Sequence, residues 1–305
     1  MLLSFVIPVY HGEATITKLF TSLQAVCQAN NYSFEVIFVW DCGPDNSWNV
    51  ISELKHQNPE IITAIRLSRN YGQHNAIICG FEHAIGDYII TMDEDLQHDP
   101  ADVPLLLNKQ QEADYDLVYG YYPEREHSGF RNMTSRLLNT ALKIGIPELH
   151  RHYSAFRCIK KKVALSTIKM QNSYTFLDGY FAWITNNVSS TRVNHQARFA
   201  GKSSYNLKKL ITHTINIFVT FSSLPIKLVS ILSAIFFFFS TTYATAIIIK
   251  KIFSDNLVPG FASIIVLTGY GFAAILFGLS VIGEYIHRIN LKTTRRPNYN
   301  INEIL

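Results

Sequence analysis

Two uncharged blocks in the last third of this 305-residue chain constrain its fold more than any other feature. The first, LVSILSAIFFFFSTTYATAIII at 228–249, runs for 22 residues between Lys227 and Lys250. At about 1.5 Å per residue a helix of that length reaches roughly 33 Å, enough to cross the hydrocarbon core of a bilayer. The second, NLVPGFASIIVLTGYGFAAILFGLSVIG at 256–283, is again uncharged and stops at Glu284. Core helices of soluble proteins can be apolar, but they rarely stay so on every face for this long. The short connection KKIFSDN predicts an antiparallel hairpin with both flanks on one side of the membrane. Lys208, Lys209 and Lys227 precede the hairpin and Arg288, Lys292, Arg295 and Arg296 follow it, against Lys250 and Lys251 at the far end. Basic residues favour the cytoplasmic face, so the N-terminal domain and the C-terminal tail are expected in the cytoplasm, anchored by two crossings of the inner (cytoplasmic) membrane.

Up to about residue 210 the pattern is that of ordinary globular sequence. LSFVIPVY (3–10), SFEVIFVW (33–40), ITAIRL (62–67) and DYIITM (87–92) are short runs rich in Val, Ile, Phe and Tyr. Helix-like stretches at 13–30, 45–57 and 74–85 separate them. Strands alternating with helices predict parallel βαβ units and a doubly wound α/β sheet. Cys27, Cys42, Cys79 and Cys158 lack CxxC spacing and suit buried thiols in a reducing compartment better than disulfides or a zinc site. The N-terminal MLLSFVIPVYHGE has no basic leader or small-residue cleavage site and reads as the first core strand, not a signal peptide. A net charge of +4 without a dense basic run or nucleic-acid motif gives no reason to expect a nucleic-acid partner.

In doubly wound sheets ligands bind beyond the carboxyl ends of the strands. Each strand here is followed by a polar, turn-forming segment: PVYHGE, DCGPDNS, SRNYGQHN and DEDLQ. Four such loops at one end make a cleft for a polar, anionic ligand. The last places Asp93, Glu94 and Asp95 side by side, and like charges this close repel unless solvent or a cation relieves them. In an extended segment Asp93 and Asp95 point the same way, with Glu94 opposite. A solvated acidic turn is one reading. The other is a pair of hard oxygen ligands for Mg²⁺ or Mn²⁺ bound jointly with a substrate diphosphate.

The motifs IPVY, SRNYGQHNAIICGFEHAIGDYIITMDEDLQHDP and RFAGKSSY, and the apolar hairpin with its GEYIHRI end, occur in a recognisable order. Together they resemble the family 2 glycosyltransferases of GT-A fold. More narrowly, the chain is similar to the polyprenyl-phosphate glycosyltransferases, the group holding dolichol-phosphate mannose synthase, bactoprenol glucosyltransferases and undecaprenyl-phosphate aminoarabinose transferase. The resemblance implies that Asp93 and Asp95 hold the metal on a nucleotide-sugar diphosphate, a UDP-sugar being favoured. It implies that Pro8, Tyr10 and Asp41 line the base and ribose pocket and that Gln97 closes the DLQ motif, although an Asp at position 41 can also be an ordinary turn or cap residue. It also implies a polyprenyl phosphate acceptor, a role in cell-surface glycan or lipopolysaccharide assembly, and self-association.

The acceptor side is expected from 121 onward. Segment 121–145 becomes amphipathic and offers Arg125, Arg131, Ser135 and Arg136 as phosphate donors, or a merely solvated basic face. Related enzymes use the matching region for phosphates at the membrane. Arg157 matches the family's FR position, and His195, Arg198, Lys202 and Tyr205 come just before the apolar blocks, where a basic cluster can also simply anchor lipid headgroups. The expected divisions are a donor half at 1–120, an acceptor half at 121–223, membrane helices within 224–285 (about 227–249 and 257–283) and a cytoplasmic tail at 286–305.

Several positions depart from the family pattern. Trp40-Asp41-Cys42-Gly43 stands for DDGS, Tyr10-His11-Gly12 for YNE, and His152 and Ala155 where bactoprenol glucosyltransferases carry Asp. Ser204 takes the SKY lysine position, with Lys202 two residues earlier. A phosphate acceptor, with a second pKa of about 6, needs little general-base help. A sugar-hydroxyl acceptor on a lipid-linked oligosaccharide would need a base; resemblance to other GT-A enzymes, many of which place a catalytic carboxylate near this position, implies Asp178, which could instead merely end an element. The leading expectation is therefore an inverting transferase acting on a lipid phosphate. Transfer to a hydroxyl and a catalytically silent sugar-nucleotide-binding scaffold are the alternatives.

Overall fold

The computed structural model describes residues 1–122, 146–170, 174–194, 212, 215–217, 219–222, 224–253, 260–293 and 297–305. It divides into two compact units, one made of Met1–Gln171, Thr175–Lys209 and Arg296–Leu305, the other of Asn172–Tyr174 and Leu210–Arg295.

The first unit is built on an eight-stranded sheet. Its strands are β1 (Leu2–Val9), β2 (Ser33–Trp40), β3 (Ile62–Leu67), β4 (Tyr88–Thr91), β5 (Leu117–Tyr121), β6 (Arg157–Lys160), β7 (Val188–Arg192) and β8 (Ile301–Ile304). They lie in the order β7-β5-β6-β4-β1-β2-β3-β8. The four expected strands form within one or two residues of their predicted ends and pair in parallel. Their apolar runs are continuous because a parallel sheet is covered on both faces. Leu3, Phe5, Ile7, Val36, Phe38 and Ile90 have no exposed surface, each such side chain contributing about 1.5 to 3 kcal/mol by leaving water.

Helices α1 (Ile16–Ala29), α2 (Ser47–Gln57), α3 (Gln73–His83), α4 (Val103–Glu112), α5 (Lys161–Ile168) and α6 (Leu177–Ile184) complete this unit. Helix α1 buries Ile16, Leu19, Phe20, Leu23 and Cys27, the three-to-four spacing of one helical face. Helix α3 lies close on β1 because Gly80 faces Val6, where an added Cβ would come within 2.3 Å of a Val6 methyl. The four cysteines are free thiols, and burial pushes Cys27 and Cys79 up to about 12.

The sheet is mixed, not wholly parallel. Strand β6 is antiparallel to β4 and β5, and β8 is antiparallel to β3. Because β6 reverses twice, β5 runs with β4 and ends at the same edge of the sheet. The tail, in which the sequence showed no motif, supplies β8. It is fixed by reciprocal backbone bonds between Leu305 and Ala64, by Tyr299 donating to Glu82, and by Asn298 donating to the Met170 carbonyl.

The second unit contains α7 (Leu224–Phe253) and α8 (Phe261–Thr293). Among the described residues, Leu267–Asn290 is long and apolar enough to cross a membrane. A bent pair, Ile215–Phe221 with Pro225–Phe236 at 85°, meets the same criterion when taken together. Side chains such as Phe238, Phe239, Phe272, Leu276 and Phe277 are exposed, an arrangement costly in water. At the end of α8 Arg288 holds Glu284, Thr220 and Asn216, and the Tyr285 hydroxyl donates to the Ser222 carbonyl.

Candidate active site

The loops after β1, β2, β3 and β4 meet at one edge of the sheet and are cross-tied by their own side chains. Gly43, after β2, lies so close to the loop after β1 that a Cβ there would be 1.5 Å from the Tyr10 carbonyl oxygen. Cys42 beside it takes a left-handed φ of 51° and donates its thiol to the Leu67 carbonyl. Asp45 accepts from the Glu13 backbone and the Ser47 hydroxyl and pairs with His11 at 3.2 Å.

Asp41 is 3 % exposed, and its two oxygens accept from the backbone amides of Tyr71 (2.6 Å) and Gly72 (2.8 Å). Burial raises its pKa, partly offset by those two amides. Its visible work is to shape the β3–α3 loop that borders the cleft. Pro8 is buried in β1 opposite Val39, beyond the last residue that β4 pairs, so its missing N–H breaks no bond to β4. The Tyr10 side chain is 46 % exposed at the edge.

The acidic triplet is not extended. The chain turns at Glu94–Asp95, and Leu96 adopts a left-handed φ of 62°. The three carboxylates nevertheless part company. Glu94 turns back to the backbone amides of Tyr10 and His11, both at 3.4 Å, and burial raises its pKa. Asp93 accepts from the Gln73 amide at 2.5 Å. Asp95 accepts from the Gln97 backbone (3.1 Å) and side-chain amide (2.9 Å). Among the described residues no group of three or more His, Cys, Asp and Glu could hold a metal. Two carboxylates on one short loop fit Mg²⁺ or Mn²⁺, which is commonly held by one or two carboxylates with substrate phosphates supplying further ligands.

Arg157 and Asp178 are buried and paired with each other. Arg157, 2 % exposed, bonds Asp178 through Nε (2.9 Å) and a terminal nitrogen (2.8 Å) and reaches Thr91 Oγ1 at 3.3 Å. Tyr119 donates to the same Asp178 carboxylate at 3.0 Å. Asp178 is 3 % exposed, and both its carboxylate oxygens accept from the Arg157 guanidinium. Arg157, at the family's FR position, and Asp178, the candidate base, together form a buried strut between β4, β5, β6 and α6. Arg131 and Ser135, with Arg125 and Arg136, lie outside the described residues, as do Arg198 and Lys202 with His195 and Tyr205.

Three residues were missed by the sequence reading. Gln73 and His98 engage Asp93, and Asp102 accepts from the Asn194 backbone (2.7 Å) and side chain (3.0 Å), where the chain enters 195–211. Gln73 and His98 sit inside recognised motifs, whereas the Asp102–Asn194 pairing has no local signal.

Residues 4–168 match the family described as Glycosyl transferase family 2, more than half of the chain. The chain belongs to that family. Along 99 % of its length it is 30 % identical to the undecaprenyl-phosphate 4-deoxy-4-formamido-L-arabinose transferase of Shewanella sediminis (strain HAW-EB3), covering 92 % of that protein. The transferase of the same name from Pseudomonas fluorescens (strain SBW25) is 29 % identical over 99 % of this chain and 89 % of its own. These relatives set the chain among the polyprenyl-phosphate members of family 2, and it is a transferase. The glucosyl-3-phosphoglycerate synthase of Mycobacterium tuberculosis, solved with Mn²⁺, UDP-glucose and phosphoglyceric acid, superposes with a TM-score of 0.53. At 16 % identity, covering 71 % of this chain and 77 % of that one, it shows the shared glycosyltransferase fold.

Proposed function

We propose that this family 2 member transfers a sugar from a nucleoside diphosphate sugar, UDP-linked in the first instance, to the phosphate of a polyprenyl lipid at the cytoplasmic face of the membrane. The observation that carries the reading is the near-complete alignment with transferases named for undecaprenyl phosphate. The buried Arg157–Asp178 pair adds to it by committing the carboxylate that a hydroxyl acceptor would need. A phosphate oxygen, already ionised near neutrality, attacks the anomeric carbon, and the bond to the nucleoside diphosphate breaks with its electrons leaving on that group. A single displacement inverts the anomeric configuration.

Asp93 and Asp95 would hold Mg²⁺ or Mn²⁺. The ion would offset charge on the departing diphosphate. Asp41 shapes the loop beside the nucleotide, and the segments holding Arg131, Ser135, Arg198 and Lys202 are proposed to meet the acceptor phosphate.

A two-helix membrane hairpin is supported by β8. A chain that leaves the first unit at 209 and rejoins its sheet at 301 has to cross a bilayer an even number of times. The test is transfer by purified protein from labelled nucleotide sugars to polyprenyl phosphate with Mn²⁺. Labelled lipid that releases its sugar in mild acid is expected. Acid-stable label on a lipid-linked oligosaccharide would overturn the reading, as would wild-type turnover by Asp93→Ala and Asp95→Ala at saturating metal.

A further inference from the structure

We infer that His98 is the residue that sets the position of Asp93, closing the acidic loop on itself; the inference rests on reading Asp93 as a metal ligand. Strand β4 ends at Thr91, so the Asp93 amide lies beyond the sheet ladder and needs another acceptor. His98 Nδ1 accepts a hydrogen bond from that amide at 3.0 Å. A backbone N–H can only donate, so Nδ1 is the unprotonated nitrogen and the neutral ring carries its proton on Nε2.

The ring is held as firmly as the bond it makes. It stacks on Phe156 at 5.2 Å and 15° and on Tyr122 at 6.2 Å and 12°, and His98 is 6 % exposed. The left-handed Leu96 bends the chain so that residue 98 returns to residue 93. The Tyr122 hydroxyl fixes the same turn by donating to the Gln97 carbonyl at 3.2 Å. Phe156 leads into β6 and Tyr122 follows β5, so two strands clamp the ring that aims the first carboxylate. Groups that orient metal ligands commonly change metal affinity by roughly 10- to 100-fold when removed.

The substitutions that test this separate the acceptor from the packing. His98→Asn keeps an acceptor near the Nδ1 position, whereas His98→Phe keeps the flat stacked ring and loses the acceptor. Two readouts are taken on the full-length protein: hydrogen exchange of the peptide covering 92–96 without metal, and Mn²⁺ affinity with nucleoside diphosphate by electron paramagnetic resonance. His98→Phe is expected to exchange faster there and to bind Mn²⁺ roughly 10-fold more weakly. His98→Asn is expected to stay within about 3-fold of wild type on both counts, the acceptor being kept. Wild-type exchange and binding in His98→Phe would overturn the inference. So would equal losses in both variants tracking a lowered melting temperature, since packing alone would then explain them. Unchanged Mn²⁺ affinity in Asp93→Asn would instead remove the metal reading and this role with it, a result distinct from failure at His98 alone.

Discussion

At the scale of single residues, the site holds groups exposed at the cleft, such as Tyr10, and buried groups that hold others in place, such as Asp41. Arg157 and Asp178 are 21 residues apart and each looks, in isolation, like a polar residue awaiting a phosphate or a proton. Nothing local encodes that strand β6 and helix α6 bury them against each other, which is why sequence reading gave them catalytic roles. Asp178→Asn leaves the guanidinium buried and poorly paired, and a loss of about 3 to 5 kcal/mol is expected in chemical denaturation. Turnover per folded molecule should stay near wild type with an unchanged pH profile. A stable variant with turnover reduced by about 100-fold or more would make Asp178 the base after all. Gly43→Ala is the complementary case. Its Cβ would collide with the Tyr10 carbonyl, so the loops after β1 and β2 must separate. A stability loss of about 1 to 3 kcal/mol and a several-fold higher KM for the nucleotide sugar are expected from melting and initial-rate measurements.

At the scale of elements, β1 to β4 and α1 to α3 were readable because each has a strong period and a turn-rich boundary. The acidic loop was legible as chemistry, from Asp93 and Asp95, but not as shape, since a left-handed Leu96 has no signature in the letters. Strand β8 was not legible: INEI is four residues long, mostly exposed, and acquires its conformation only by pairing with β3. That pairing reaches the cleft. The Ser68 amide donates to the Asn300 carbonyl at 2.9 Å, and Ser68 Oγ lies 3.1 Å from the Tyr71 hydroxyl, beside the amides that Asp41 holds. Arg66 of β3 lies over Trp40 and Trp48 and 3.9 Å from Glu303 of β8. Deleting 298–305 should therefore raise the KM for the nucleotide sugar several-fold, and the peptide PNYNINEIL added in trans should restore it by strand addition. An unaltered KM in the truncated enzyme would show that β8 serves only to finish the edge.

At the scale of the whole molecule, the apolar blocks were the plainest signal in the sequence, and the helices they form keep large apolar side chains exposed. Composition could not show that the chain returns to its starting sheet after them. That return argues for an even number of crossings, and labelling can count them. In a Cys42→Ser background, whose other cysteines are buried, Phe253→Cys and Thr293→Cys are both at exposed positions. A membrane-impermeant maleimide added outside intact cells should label the first and not the second. Labelling of both, or of neither, would contradict a cytoplasmic catalytic domain on a two-crossing anchor.

The place of β8 in the sheet also orders events during synthesis. Domains generally begin folding from the N-terminal end as the chain emerges. Strands β1 to β7 can assemble early, but the edge beyond β3 stays open until both apolar helices have left the ribosome and residues 301–304 follow. The loop that borders the cleft is thus braced last. A nascent transferase would gain its full grip on donor only once its anchor has been made.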